Sequence, residues 1–293
     1  NLIDGLKTSL ASHLAPQQVS VGVSGGLSIM YHGIRLLLDV QRDFVVVKID
    51  LKNAFNAVDR KAILEALANV PEANVLLPFE LEMLGPEGLA FTQEGKRLFR
   101  GERGDKSAGT DQGSPDSPAL FCIALAPALR RLHEALAGLG GGAWACMDDA
   151  YAVGPAEPVF EALADFARSV NDELHMEVCF HKMKAYSRER DLTGFLPMEE
   201  AGVTLGGVDT AENGFIRGIQ VGGIPLGDPG YMAYAMGEKA TEIESYINKT
   251  VNQLRSEPHH LWTCLYYGVK SKIDYWLQHV TPTESGPYAR RVD

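Results

Sequence analysis

The stretch Trp144-Ala145-Cys146-Met147-Asp148-Asp149-Ala150-Tyr151-Ala152-Val153 places two adjacent carboxylates between two short runs of mostly apolar or small residues. Glycines at 140–142 precede it and Gly154-Pro155 follows it, so the pattern predicts a strand, a tight turn carrying the acids, and a second strand. Two ionised neighbouring carboxylates repel each other unless a cation lies between them. Oxygen ligands favour magnesium. The alternative is that the acids only make the turn, because aspartate is common in turns.

A third carboxylate stands at the end of another predicted strand. Residues 43–51, Asp-Phe-Val-Val-Val-Lys-Ile-Asp-Leu, are nearly all apolar, which is typical of a central strand covered on both faces. The apolar run ends at Asp50. Because a charge at the end of a buried strand is costly without a partner, this position indicates a site and not a core residue. A turn over residues 52–56 follows, and Asp59 is predicted to cap a helix over residues 60–69.

Two further loops are rich in glycine, and the first has a composition suited to contact between backbone and ligand. In the first, Gln112-Gly113 precede Ser117-Pro118, which are predicted to be the N-cap and first residue of a helix over residues 117–136. Exposed amides at a helix start suit an anion such as a triphosphate, although an ordinary loop into a helix has the same pattern. In the second, Gly222-Gly223 joins short strands at residues 219–221 and 224–227 in a predicted hairpin.

The remaining periodicities complete the outline of the chain. They predict one helix that begins at Leu2 and five more over residues 27–38, 79–84, 159–174, 231–254 and 259–279. They also predict strands over residues 19–23 and 176–180, and a hairpin from residues 89–91 and 97–100. Lys182 follows the strand predicted over residues 176–180. The apolar stripe from Trp262 to Trp276 is interpreted as core in preference to a base-stacking platform. Pro229-Gly230 is the predicted domain boundary.

Composition limits the classes of function. The chain has 293 residues, 45% of them hydrophobic, and a net charge of −11, which argues mildly against a nucleic-acid partner because such proteins present a basic face. A local basic run, Arg97, Arg100, Arg103 and Lys106, is an exception that fits either a solvated hairpin or a contact with nucleic acid or triphosphate. Four scattered cysteines without a CxxC pair predict reduced, intracellular thiols, with neither a zinc site nor disulfides. No signal peptide or membrane span is recognisable, so a soluble piece of a longer protein is expected.

If the two acid-bearing strands are neighbours in one sheet, three carboxylates converge. Phosphoryl transfer assisted by two metal ions requires this arrangement, in which one ion activates the attacking hydroxyl and the other stabilises the leaving pyrophosphate.

The order of these motifs resembles that of a reverse transcriptase, most of all the non-LTR retrotransposon type. The resemblance rests on Asp50 and Phe55, then Gln112-Gly113-x-Pro115-x-Ser117-Pro118, then Met147-Asp148-Asp149, then a lysine after a strand, then Ile224-Pro225-Leu226-Gly227. The stretch from Val21 to Gly26 resembles that branch in particular, and the resemblance covers nearly the whole chain. It implies an α+β right-hand polymerase palm, an antiparallel sheet backed by helices. The implied divisions are partial fingers (1–43), palm with the first acidic motif (44–70), a fingers insertion (71–108), palm with the Asp-Asp hairpin and primer grip (109–229), and a partial helical thumb (230–293).

The resemblance also implies a role for each matching residue. Asp50, Asp148 and Asp149, with the Leu51 carbonyl, hold two Mg²⁺ ions, for which Mn²⁺ can substitute. Phe55 excludes a ribose 2′-hydroxyl by steric clash, while Gln112 and Gly113 contact the incoming nucleotide and the template. Lys182 approaches the triphosphate and donates a proton to pyrophosphate. The primer backbone is gripped by Gly223, Pro225 and Gly227. The implied partners are an RNA template, a DNA primer and deoxynucleoside triphosphates, within a longer retroelement polyprotein expected in the nucleus.

Three departures from the family pattern bear on activity. Cys146 stands where the family usually has an aromatic residue, which affects packing of the primer end. His181 replaces the asparagine common before the motif lysine, and the basic fingers strands are expected upstream of residue 1. We therefore expect this chain by itself to polymerise poorly or not at all. Two alternatives stay open: a group II intron-like or telomerase-like relative with the same chemistry, and a decayed or domesticated palm that binds nucleic acid without catalysis.

Overall fold

The computed structural model of the chain describes residues 2–84, 89–91, 97–99, 108–110, 114–212 and 214–292. The helices are α1 (Leu2–Leu14), α2 (Gly26–Val40), α3 (Ala54–Ala57), α4 (Arg60–Ala68), α5 (Leu77–Leu84), α6 (Ser117–Ala137), α7 (Ala156–Leu174), α8 (Leu196–Glu200), α9 (Pro229–Leu254), α10 (Pro258–Thr263), α11 (Lys270–Leu277) and α12 (Pro282–Val292). The strands are β1 (Val45–Ile49), β2 (Leu89–Phe91), β3 (Arg97–Phe99), β4 (Gly142–Cys146), β5 (Asp149–Gly154), β6 (Lys184–Ser187), β7 (Thr204–Leu205), β8 (Gly207–Thr210), β9 (Gly214–Val221) and β10 (Ile224–Gly227). Cys264–Val269 is π-helical, and short 3-10 helices cover Asn74–Leu76 and Phe180–Lys182.

A five-stranded sheet in the order β4-β5-β1-β6-β7 forms the centre of the molecule. Strand β1 lies in the middle and pairs antiparallel with β5 and with β6, whereas β6 and β7 are parallel. The valine run explains this position, because Val45, Val46 and Val47 are fully buried and supply apolar side chains to both faces.

The two faces of this sheet contact different layers. Val45, Val47 and Ile49 belong to a core that includes the apolar residues of α6 and α7. Val46, on the opposite face, belongs to a second core with residues of α2, β9, β10 and α9. Because side chains alternate along a strand, Lys48 and Asp50 belong with Val46 and face away from α6 and α7.

Two smaller sheets accompany the central one, and β9 and β10 belong to the second layer. Strands β10, β9 and β8 form an antiparallel three-stranded sheet, and β2 and β3 form the predicted hairpin. Buried side chains of α9, such as Met232 and Met236, and Trp276 of α11 pack in the second core with β9 and β10. The C-terminal helices are thereby attached to the face of the central sheet that carries Lys48.

Most predicted elements are confirmed. The structure has a hairpin around Asp148, a central strand that ends just before Asp50, and a hairpin whose turn is Gly222-Gly223. The helix predicted over residues 60–69 is α4, and the Asp59 side chain accepts a hydrogen bond from the Ala62 N–H at 2.8 Å as the predicted cap.

Both strands predicted from short apolar runs are wrong. Residues 19–23 are irregular, because Gly22 has φ of 72° and interrupts an extended chain; the pairing reduces to one parallel bridge between Gln18 and Ala145. Residues 176–180 make one bridge, from Val178 to Leu51. Since β5 and β6 already occupy both edges of β1, no edge is left along β1 for a longer strand there.

Three helix predictions need adjustment. The residue that caps α6 is Asp116, and Ser117 is the first helical residue. The turn predicted over residues 52–56 contains the short helix α3. The helix predicted over residues 259–279 is divided into α10, the π-helical segment and α11, and its stripe is core only in part: Val269 and Trp276 are buried, whereas Trp262 is exposed.

Two observations concern the sequence-based predictions about membrane spans and disulfides. No helix in the described part of the chain combines the length and the hydropathy that crossing a bilayer requires. All four cysteines, which lie in described segments, are free thiols.

Candidate active site at the acidic end of the central sheet

The pairing of β1 with β5 brings the two acid-bearing segments together. In the register Val45 faces Gly154 and Ile49 faces Ala150, so continuing it by one residue places Asp50 opposite Asp149. Residues directly opposite each other in an antiparallel pair point to the same face with Cα atoms about 5 Å apart. Asp148 lies beside them in the turn between β4 and β5. The three predicted acids therefore share one end of the sheet.

The turn that carries Asp148 has a strained backbone. Met147 has φ of 59°, which is uncommon for a residue other than glycine. The Gln18 side chain stabilises this conformation from both sides: its amide N–H donates to the Met147 carbonyl at 3.1 Å, and its amide oxygen accepts from the Met147 N–H at 2.8 Å. Ser20 Oγ also accepts from the Met147 N–H, at 3.2 Å. Sequence reasoning missed Gln18, because it is 129 residues away and lies in no motif.

Asp149 has a basic partner. Lys48 Nζ lies 2.9 Å from Asp149 Oδ1 and 5.9 Å from the centre of the Tyr151 ring. The two charged side chains are 30% and 41% exposed, so solvent screens the ion pair. Sequence reasoning did not assign Lys48 a role, although its place two residues before Asp50 on a strand puts it on the same face.

The carboxylates suit magnesium in chemistry, because hard cations prefer oxygen ligands, and they share one end of the sheet. Among the described residues, no group of three or more His, Cys, Asp or Glu side chains is arranged to hold a metal ion. A metal at this end of the sheet would compete with Lys48 for Asp149, and the metal site stays a prediction.

The thiols beside the acids are neutral. Burial, followed by the negative charges of Asp149 and Asp148, raises the pKa of Cys146. Burial is also the main cause that raises the pKa of Cys122 to about 12. Cys146, half-buried, packs at the edge of the second core together with Tyr275.

The glycine hairpin is held against the acidic strand by tyrosine hydroxyls. Tyr151, two residues after Asp149, accepts a hydrogen bond from the Gly222 N–H at 2.9 Å and donates to the Gln220 carbonyl at 3.2 Å. The Tyr275 hydroxyl donates to the Gly222 carbonyl at 3.0 Å. Burial is the main cause that raises the pKa of Tyr275.

The predicted primer-grip residues lie in this hairpin. Gly223, with φ of 80°, is in its turn, and Pro225 and Gly227 lie on β10. The Pro225 carbonyl accepts a hydrogen bond from the Tyr31 hydroxyl at 2.9 Å. Gly227 has no room for a side chain, because an added Cβ would approach the Arg217 carbonyl oxygen to 2.6 Å.

The other predicted site residues are more dispersed. Leu51 is buried and bridges to Val178 just beyond Asp50. Phe55, half-buried on α3, packs against Phe121 of α6 with ring centres 4.7 Å apart. Lys182 is exposed at the end of a 3-10 helix, close in sequence to Cys179, whose N–H donates to the Asp50 carbonyl. Gln112 and Gly113 lie outside the described residues, as does most of the basic run from Arg97 to Lys106.

Comparison with known proteins gives one negative and two positive results. No family model matches the chain. It is 30% identical over 135 residues to the retrotransposable element SLACS 132 kDa protein of Trypanosoma brucei gambiense; the match covers 43% of this chain and 11% of that protein. The structure of apo telomerase from Candida tropicalis aligns with a TM-score of 0.50 and 13% identity, covering 78% of this chain and 40% of that chain.

The predicted fold class is confirmed by this structural similarity. The mixed α+β architecture, with a mainly antiparallel sheet backed by helices, resembles that of the telomerase structure. The chain spans only about a tenth of the retrotransposable element protein and less than half of the telomerase chain. The recognition made from the motifs is supported by both findings: the partial match is to a retrotransposable element protein, and the fold resembles that of a telomerase structure.

Proposed function

We propose that the chain synthesises DNA on an RNA template by nucleotidyl transfer, as part of a longer retroelement polyprotein. The register of β1 on β5, which places Asp50 opposite Asp149 and next to the turn that carries Asp148, is the main support for this proposal. The partial match to a retrotransposable element protein supports the retroelement context.

In the proposed site the three aspartates would hold two Mg²⁺ ions, with help from the Leu51 carbonyl. When bound, the ions would supply activation of the primer hydroxyl and charge stabilisation at the phosphates. The chain itself supplies positioning: Tyr151 connects the strand that bears Asp149 to the Gly222 hairpin, which is proposed to hold the primer backbone. Such positioning provides much of the catalysis in phosphoryl transfer.

The remaining roles follow the motif assignments. Phe55 excludes the ribose 2′-hydroxyl, and Gln112 and Gly113 contact the incoming nucleotide and template. Lys182 approaches the triphosphate. Its side chain is exposed, and in the described part of the chain it makes no ion pair with the three aspartates.

Single-nucleotide incorporation on a DNA primer annealed to RNA tests the proposal. With excess protein and Mg²⁺ or Mn²⁺, we expect slow but metal-dependent addition of a deoxynucleotide, and little addition of a ribonucleotide. Asp148→Asn removes a charge without changing size and should abolish incorporation while the circular dichroism spectrum and unfolding midpoint stay unchanged. Asp172→Asn, an exposed position on α7, is the matched control and should keep full activity. Incorporation that survives Asp148→Asn would refute the assignment.

A second candidate function is binding of nucleic acid without catalysis. The ion pair between Lys48 and Asp149, which engages one of the three carboxylates, favours it. It predicts that a primer–template binds with a strong salt dependence, that no nucleotide is incorporated with either metal, and that Asp148→Asn leaves binding unchanged.

A further inference from the structure

The C-terminal helices carry a cluster of exposed aromatic rings that the proposed site does not use. The aromatic cluster consists of Trp262 in α10 and of Tyr266 and Tyr267 in the π-helical segment, and these side chains are 60%, 45% and 69% exposed. The rings of Trp262 and Tyr266 are stacked, with centres 4.9 Å apart and planes inclined by 10°. Tyr267 meets Tyr266 edge-on at 5.0 Å and 82°.

The exposure of these rings is a property of the fold. The other face of the same segment is buried, with Val269 and Trp276 both 8% exposed, and Gly268 approaches the Tyr246 hydroxyl of α9. Trp276 of the adjoining helix α11 belongs to the second core, so the inner side of these helices is packed while the aromatic cluster is exposed. π-helical turns occur often at functional sites, which adds weight to this position.

The chemistry of the cluster matches a nucleobase better than an aliphatic protein surface. Its exposed members are all aromatic, and each has a polar edge, an indole N–H or a phenol hydroxyl. Two rings already form a stack, so a flat base on the exposed side of Trp262 continues it with the geometry that single-strand binding proteins use.

Local charge also suits a nucleic acid. Residues 255–279 contain three Lys or Arg and two Asp or Glu, together with three histidines, whereas the whole chain has 27 Lys or Arg and 38 Asp or Glu. Phosphate groups are therefore repelled less here than by the average surface of the chain.

We propose that the aromatic cluster is a binding site for single-stranded nucleic acid, in which a base stacks on Trp262. The proposal rests on the proposed function in so far as that function supplies the nucleic acid. The same helical segment reaches the candidate active site, because Tyr275 binds the Gly222 hairpin. At a rise of 1.5 Å per residue, Tyr266 lies about 13 Å from Tyr275 along the helix axis. The cluster thus suits a strand outside the catalytic centre.

The test is binding of fluorescein-labelled 12-nucleotide oligouridylate and oligothymidylate, followed by anisotropy and by quenching of tryptophan fluorescence. Trp262→Ala should weaken binding about 10-fold, the effect of losing one stacked base, and Trp262→Phe should restore most of the affinity. Phe215→Ala, which removes another exposed aromatic side chain from β9, should have no effect. An oligonucleotide of the same length with abasic residues in place of bases should bind the wild type as weakly as the normal oligonucleotide binds Trp262→Ala.

The outcomes separate this site from the proposed catalysis. Trp262-dependent binding that persists in Asp148→Asn supports the site whether or not the chain incorporates nucleotides. Equal binding of the normal and abasic oligonucleotides, or unchanged binding by Trp262→Ala, would overturn the site even if incorporation is normal. The proposal is also overturned if the wild type dimerises in sedimentation while Trp262→Ala is monomeric and binds the oligonucleotide with unchanged affinity. The cluster would then be a self-association surface.

Discussion

At the scale of single residues, Lys48 controls the charge at the acidic end of the sheet. Its ammonium group neutralises Asp149, so it is expected to compete with a metal ion for that carboxylate. Lys48→Gln should lower the Mn²⁺ concentration for half-saturation about 2- to 5-fold, the range expected for a solvent-screened ion pair. Electron paramagnetic resonance of free Mn²⁺ measures this without requiring activity. Lys52→Gln, which removes an exposed ion pair with Glu177, is the control and should change nothing. Weaker Mn²⁺ binding by Lys48→Gln would show that Lys48 supports the site.

Gln18 is the residue on which the turn conformation depends. It is 2% exposed, so its removal by Gln18→Ala leaves both the N–H and the carbonyl of Met147 without this partner. The expected loss is about 2 kcal/mol in the free energy of unfolding, measured by urea denaturation. Gln18→Glu keeps the acceptor and loses the amide donor, so it should also destabilise the fold. A neutral result for both variants would mean that the turn is stable by itself.

Glu80 predicts a pH dependence of stability. Its side chain is 1% exposed, and burial, followed by the influence of the nearby Asp116 carboxyl, raises the pKa of Glu80 to about 8. The folded-state pKa lies above the unfolded value, so Glu80 keeps its proton to a higher pH in the folded chain than in the unfolded chain. The contribution of Glu80 to the free energy of unfolding is therefore present at low pH and is lost as the pH rises through about 8.

The variant that tests this prediction is Glu80→Gln. It should resemble the wild type near pH 5 and be more stable near pH 9, by an amount on the order of a few kcal/mol. Glu82→Gln, two residues later at an exposed position on α5, is the control. Parallel unfolding curves for wild type and Glu80→Gln across this pH range would contradict the assigned pKa.

At the scale of elements, the hairpin of β9 and β10 is the connection between the acidic strand and the C-terminal helices. Both turn glycines have positive φ, 58° at Gly222 and 80° at Gly223, as a tight two-residue hairpin turn requires. They differ in their surroundings: a Cβ at Gly222 would approach Leu27 Cδ1 to 2.2 Å, whereas a Cβ at Gly223 meets nothing within 4 Å.

This difference gives a matched pair of substitutions. Gly223→Ala should lower the free energy of unfolding by about 1–2 kcal/mol, the cost of a left-handed backbone for alanine. Gly222→Ala should cost more, because Leu27 of α2 must also move. Thermal or urea unfolding of the two variants measures the gap. Equal losses in the free energy of unfolding would indicate that Leu27 of α2 moves aside at no measurable cost.

Sequence patterns were informative for elements that are locally encoded. The strands around Asp148, the cap at Asp59 and the Gly222-Gly223 turn depend on neighbours within a few residues, so periodicity and turn chemistry predicted them. The strands predicted at residues 19–23 and 176–180 failed for different reasons. Gly22, with φ of 72°, interrupts the first, whereas the second has no free partner edge on β1, because β5 and β6 occupy both.

At the scale of the whole molecule, the second core attaches the C-terminal helices to the sheet that carries the acids. Trp276 is 8% exposed in this core, with Lys239 Nζ 5.7 Å from its ring centre. Trp276→Ala should destabilise the fold by about 3–5 kcal/mol. Trp262→Ala, the same change at a 60% exposed position, should be nearly silent, within about 0.5 kcal/mol. Denaturant unfolding and limited proteolysis within residues 255–292 distinguish the two variants. A similar loss of stability in both would mean that Trp262 also packs in a core.

The sequence by itself determined the local elements, the identity of the acids and the family that they indicate, because hydrophobic period, turn residues and motif order are all written within short segments. Only the tertiary structure decided that Asp50 lies opposite Asp149, that Lys48 shares their face, and that Gln18 holds the turn from 129 residues away. It also decided that one apolar stripe is buried at Trp276 and exposed at Trp262. Pairing register and burial depend on which surfaces meet, and residues distant along the chain supply those surfaces.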